Sequence, residues 1–150
     1  MGALRKENIM RTMLLKEAYV YMATTTDTKF ILDEGKYRIT RMRLSQAAEQ
    51  HIRKYGICVK IGCTTGHPSQ RAYSLEGEKG VVMVKIQTLQ TTQSGLLLIE
   101  SILRKQLESH PMTRQIGTDT FQVFTDENRE AIIAKWDEWI ANALRISSLL

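Results

Sequence analysis

Three residues of this 150-residue chain combine a reactive side chain with an unexpected position: Glu100, Lys60 and Arg71. Glu100 stands in GLLLIESILRKQL, a helix-like stretch that is apolar almost all round at its start, on the same face as Leu96, Leu103 and Leu107. A carboxylate in such surroundings is normally paired, hydrogen-bonded or bound to a metal, because an uncompensated buried charge is costly. The plain alternative is a glutamate at the rim of the core, leaning into water or paired with an arginine. Lys60 and Arg71 belong to CVKIGCTTGHPSQR, residues 58–71. Strand alternation places Lys60 on the opposite face from Val59 and Ile61. Arg71, in the helix that follows, carries a planar guanidinium suited to the oxygens of a phosphate. Read singly, the lysine is an ordinary surface residue and the arginine an ordinary solvated one. His67, in the loop between Gly62 and Arg71, is a candidate proton relay or phosphate contact by chemistry, though loop histidines are commonly solvated. His51 and His110 read as structural or solvated.

The elements that must position these residues follow from periodicity and punctuation. Residues 4–18 predict a helix with Leu4, Ile9, Met13 and Leu14 on one stripe. AYVYMATTT predicts a strand, KFILDEGKYRIT predicts two strands turning at Asp33-Glu34-Gly35, and RLSQAAEQHIRKYG predicts a helix stopped at Gly56. ICVKIG predicts a central strand, and Pro68 suits the first position of the short helix SQRAYSLEG. VVMVKIQTLQ predicts another strand. Thr91 or Thr92 can cap the helix at 92–109, which ends before Pro111. TDTFQVF predicts a last strand, and residues 126–147 a closing amphipathic helix with Ile132, Ile133, Trp136, Trp139, Ile140 and Ala143 on one side. The two tryptophans read as core packing. Asn128, in that helix's first turn, reads as a capping residue. The order is mixed helix and strand around a small sheet, an α+β class, in a single domain spanning 1–150.

Composition narrows the function classes. No run of about 18 apolar residues exists, and MGALRKENIM lacks the apolar stretch of a signal peptide, so no membrane or secretory role is expected. Cys58 and Cys63 lie too close together for a disulfide framework and lack the companions of a zinc site, which predicts a reducing, cytoplasmic setting. The net charge of +5 is unevenly spread. Residues 1–60 hold 12 Lys/Arg against 6 Asp/Glu, whereas residues 61–150 hold 9 against 10. Lys29, Lys36, Arg38, Arg41, Arg43, Arg53 and Lys54 cluster in one segment. They are either a positive face for a nucleic-acid backbone or a solvated surface.

Taken in order, AYVYMA, KIGCTT with Arg71 downstream, the helix bearing Glu100 and GTDTFQVF resemble the GIY-YIG nuclease superfamily. The likeness is to its phage-associated branch of DNA-binding or endonuclease domains, in which the second motif is commonly Lys-Ile-Gly. It covers roughly residues 17–124. The resemblance implies a small, mostly antiparallel sheet flanked by helices. It implies that Tyr21 is the first-motif tyrosine, a hydrogen-bonding or general-base group near the attacking water, and that Lys60 takes the second tyrosine's place. Arg71 would hold the scissile phosphate, His67 would stand beside it, and Glu100 would bind one Mg²⁺ or Mn²⁺. The first motif reads Tyr19-Val20-Tyr21 without its glycine, and about 38 residues separate Tyr21 from Lys60, so a basic, helical insertion over about 22–56 is required. Gly35-Lys36-Tyr37 is a second candidate for the first motif, ranked below Tyr21 because YVYMA makes the better central strand.

Three functions are compatible with these readings: a metal-dependent DNA endonuclease, a non-catalytic DNA-binding module of the same fold, and a phage protein-interaction factor. A cytoplasmic location, the host cytoplasm for a phage-encoded chain, fits each. The long helices flanking the motif region leave room for a homodimer.

Overall fold

Alternating side chains divide the central strands between two cores, and that division builds the molecule. A computed structural model describes residues 13–25, 29–33, 36–40, 46, 50, 53, 54, 56–75, 81–117 and 119–149. In strand β1 (Tyr19–Thr24), Val20 and Met22 enter one core while Tyr21 and Ala23 enter the other. In β4 (Cys58–Thr64), Val59 and Ile61 join the first core; in β5 (Val82–Thr88), Val82 and Val84 join the first and Met83 the second. Burial on both faces explains why these strands read as continuous apolar runs rather than simple alternation.

The five-stranded sheet runs β5-β1-β4-β7-β6, with β6 at Thr113–Gln115 and β7 at Thr120–Val123, and every neighbouring pair is antiparallel. The α+β class read from the sequence is the class observed. Helix α1 (Pro68–Ser74) covers the smaller core, where Leu75 and Ala72 pack with Tyr21, Ala23, Val81 and Met83. Helix α2 (Gln93–Glu108) lies on the other face with Leu96, Ile99, Leu103 and Leu107 turned inward. Helices α3 (Asp126–Ala134) and α4 (Trp136–Ser148) complete that side through Ile132, Trp136, Trp139, Ile140 and Ala143. Both tryptophans are therefore core residues. Among the described residues no helix is long and apolar enough to cross a membrane.

The residues that start and stop elements act as their chemistry predicts. Pro68 opens α1, Thr92 accepts the Gly95 N–H at the start of α2, and Gly56 adopts the left-handed φ of 68° before β4. Thr125, rather than Asn128, caps α3: its hydroxyl accepts the Asn128 N–H at 3.1 Å.

Several expectations are corrected. Residues 13–18 are not helical: Leu14 bridges Thr92 and the Leu15 N–H bonds to Thr91 O at 2.9 Å, so pairing with the chain before α2 overrides local propensity. The rest of that expected helix, residues 1–12, lies outside the described residues. The helix expected over 126–147 breaks at Lys135, whose N–H bonds to Ile132 O in a tighter turn between α3 and α4. Strand β6, three residues at the sheet edge, has no counterpart in the sequence reading.

The insertion is also redrawn. Met22–Thr24 continue β1 and pair with Ile61, Lys60 and Val59, so the excursion starts at Thr25 rather than at residue 22. It contains an antiparallel hairpin, β2 (Lys29–Asp33) with β3 (Lys36–Thr40), whose backbone lies beside β5 and α1, and helical residues at 46, 50, 53 and 54. Its two ends are tied together. The Thr25 hydroxyl donates to Gly56 O at 3.0 Å and accepts the Cys58 N–H at 2.9 Å, while Arg129 of α3 donates to Thr25 O at 2.8 Å. The insertion thus leaves and re-enters the sheet at one point, and β1 and β4 remain direct neighbours despite the long stretch between them.

Candidate functional site

Tyr21 and Gly62 sit directly opposite each other in the β1–β4 ladder. Gly62 has no side chain, and the Tyr21 ring fills the space a Cβ would take. That is why a glycine is needed in Lys-Ile-Gly: it lets a large aromatic lie flat across the strand. Tyr21 is buried, yet its hydroxyl reaches α1, where the Arg71 Nε–H donates to Tyr21 Oη at 3.2 Å. The guanidinium carbon lies 6.0 Å from the ring centroid. Holding Arg71 by Nε leaves its two Nη groups as a fork for a phosphate.

Burial raises the Tyr21 pKa above its ordinary 10.0, an effect opposed by the hydrogen bond and charge of Arg71. The phenol therefore keeps its proton at neutral pH and serves as a hydrogen-bond donor and acceptor rather than a resting general base. Of the two first-motif candidates, Tyr21 is the residue brought to Lys-Ile-Gly. Tyr37 lies opposite Leu32 in the separate hairpin.

Lys60 points to the Tyr21 side of the sheet, as alternation requires, and is buried. Its ammonium donates to the carboxylate of Asp119, in the turn before β7. Asp119 is fixed at several points: the Thr120 hydroxyl donates to Oδ1 at 3.1 Å, and the Ile61 N–H donates to its carbonyl at 3.3 Å. Burial acts to raise the Asp119 carboxyl pKa. The bonds from Lys60, Thr120 and the residue's own backbone, with the Lys60 charge, outweigh burial and hold it below the ordinary 3.8. Asp119 was missed in the sequence, where it was read as part of the strand TDTFQVF; the strand begins at Thr120, leaving Asp119 in the turn before it.

Glu100 is partly buried, its side chain 17% exposed, and it faces Arg104 one turn along α2 at 3.7 Å. It lies on the face opposite α1, the face against which Cys63 also packs. The Cys63 thiol is pushed up to about 12 by burial and by the hydrogen bond and charge of Glu100, with the charges of Arg71 and Lys60 pulling the other way. Cys63 stands near the end of β4 on the α2 side of the sheet. Neither Arg71 nor Lys60 is Glu100's ion-pair partner: these cations are engaged by Tyr21 and Asp119.

No group of three or more His, Cys, Asp or Glu comes together among the described residues. A single hard carboxylate at the rim still suits Mg²⁺ or Mn²⁺ held partly by water and substrate phosphate, the usual mode for such ions in phosphoryl chemistry. Glu100 is a hard carboxylate of that kind, engaged by Arg104 at 3.7 Å and by the Cys63 thiol, and Cys63 is a soft ligand unsuited to a hard cation.

His67 is exposed and caps α1, its Nδ1 accepting the Ser69 N–H at 3.2 Å. Of the basic cluster, Lys29, Lys36 and Arg38 fall on the hairpin, which passes beside α1; Arg53 and Lys54 are exposed and helical; Arg41 and Arg43 lie outside the described residues. Comparison of the chain with protein-family models, curated proteins and solved structures gives no match.

Proposed function

We propose that the chain is a DNA endonuclease of the GIY-YIG type that hydrolyses phosphodiester bonds with one Mg²⁺ or Mn²⁺ bound through Glu100. The observation that carries the reading is the Tyr21–Gly62–Arg71 arrangement: an arginine locked by a buried phenol, with its fork left for a phosphate. Water attacks phosphorus and gives up a proton to solvent, the bond to the leaving oxygen breaks, and that oxygen takes up a proton from solvent. Arg71 binds and orients the phosphate and offsets the negative charge that develops on it. Tyr21 holds Arg71 in place and offers its hydroxyl proton at the same spot. Lys60, held by Asp119, adds a second positive charge on the Tyr21 face. The metal would stabilise the leaving oxygen. The hairpin and helix of the insertion, rich in Lys and Arg, would track the DNA backbone. The free cysteines, Cys58 and Cys63, agree with work in a reducing cytoplasm.

The test is conversion of supercoiled plasmid to nicked or linear DNA by the wild-type protein, blocked by chelator and restored by Mg²⁺ or Mn²⁺, alongside binding measured at several salt concentrations. Salt-sensitive binding with no cleavage under any condition would leave a non-catalytic DNA-binding module. Absence of salt-sensitive binding would leave a protein-interaction factor.

A further inference from the structure

Buried ion pairs are poor sources of stability, because the desolvation of both charges offsets their attraction. In the Lys60–Asp119 pair only the lysine is buried, the Asp119 side chain being 36% exposed, and the pair is nevertheless held at several points. Lys60 is 7% exposed, and Asp119 is anchored through its carbonyl to Ile61, through Oδ1 to Thr120 and through Oδ2 to Lys60. The Ile61 bond locks the Asp119 backbone to the residue between Lys60 and Gly62. The acceptor and the ammonium it grips are therefore fixed to the same segment of β4. On the same face, one position along the ladder, lies Tyr21 with Arg71 behind it.

We propose that Asp119 is a positioning residue: it aims the Lys60 ammonium at the phosphate held by Arg71 and Tyr21, and acts on cleavage only through Lys60. This inference rests on the endonuclease reading above. A carboxylate beside an anion-binding site would by itself weaken phosphate attraction, so its presence is explained by what it does to the lysine. Without it, the ammonium is left in a buried site with no counter-charge and loses the bond that holds it there.

The experiment combines plasmid nicking by the full chain with detection of the Lys60 ammonium by ¹H–¹⁵N NMR, a resonance visible only when the group is held. Asp119→Asn is expected to lower kcat by about 10- to 100-fold with KM within about twofold, the scale for partners that hold a first-line group. It should also abolish the ammonium resonance. Asp119→Glu restores most of both, and its activity shows that the position tolerates change without unfolding. Lys60→Met with Asp119→Asn is no slower than Lys60→Met alone, because one residue acts through the other. Additive losses in the double variant, or a Lys60 resonance unchanged in Asp119→Asn, would overturn the proposal. If the wild type cleaves no DNA, the endonuclease reading fails and the pair's catalytic purpose fails with it. The NMR result separates that outcome from a failure of Asp119 to hold Lys60.

Discussion

The phenol ring of Tyr21 lies in the space that a side chain at residue 62 would occupy. A Cβ built on Gly62 overlaps Tyr21 Oη and Cζ and comes within 2.9 Å of Cε2. Tyr21 is 1% exposed and cannot step aside into solvent. The glycine of Lys-Ile-Gly therefore decides where Tyr21 puts its hydroxyl, and through it where Arg71 is held.

Gly62→Ala should accordingly destabilise the fold by about 1–3 kcal/mol, the usual scale of overpacking, and disturb the Tyr21–Arg71 hydrogen bond. Thermal denaturation with nicking assays at a permissive temperature checks this. Gly66→Ala is the control, since its Cβ would meet nothing closer than Thr64 Oγ1 at 3.8 Å; its effect should stay within about 0.5 kcal/mol.

Arg71→Lys keeps the charge but loses both the Nε bond to Tyr21 and the planar fork. Cleavage should fall by about 100-fold or more, as on removal of a preorganised donor to a developing oxyanion. Tyr21→Phe removes both the acceptor that holds Arg71 and the hydroxyl proton offered to the phosphate, and should cost about 10-fold or more in kcat. Steady-state kinetics on a defined oligonucleotide duplex distinguishes the two. A wild-type rate in Arg71→Lys would remove Arg71 from the site.

The thiol of Cys63 supplies a prediction on the alkaline side. Its folded pKa is raised, by burial first and then by Glu100, from 9.0 to about 12. Over that interval the unfolded chain has released the proton that the folded chain still holds. Stability is intact below about pH 9 and falls as pH rises toward 12. Cys58, raised by burial to about 11, contributes in the same direction. Cys63→Ala should flatten this alkaline loss in urea titrations. At pH 8 both thiols of the native protein should react with iodoacetamide far more slowly than in the denatured chain.

Much of the frame was legible because it rests on strong local chemistry. The apolar runs of β1, β4 and β5, the proline of α1, the threonine cap of α2 and the glycine before β4 all carry their own signals. Alternation correctly turned Lys60 away from Val59 and Ile61. What alternation cannot tell is who waits on the far side, and Asp119 is 59 residues along the chain from Lys60. The β6 edge strand escaped because Thr113-Arg114-Gln115 is polar and exposes two of its three residues. Residues 13–18 escaped because their good helix formers were overruled by pairing with residues 91 and 92. Glu100 was legible as a carboxylate on an apolar helix, but not its meeting with Cys63, which joins β4 and α2 across a long stretch of chain.

In the proposed endonuclease, Glu100 supports turnover and not binding. This role is tested most directly by Glu100→Ala in Mg²⁺- or Mn²⁺-dependent nicking of supercoiled plasmid, with affinity for the same DNA measured in parallel. The account predicts cleavage lost by about 100-fold or more, with affinity equal or tighter because a negative charge near the phosphates has been removed. A Glu100→Ala protein that cuts as fast as wild type, or a wild type that cuts under no divalent metal, would contradict it.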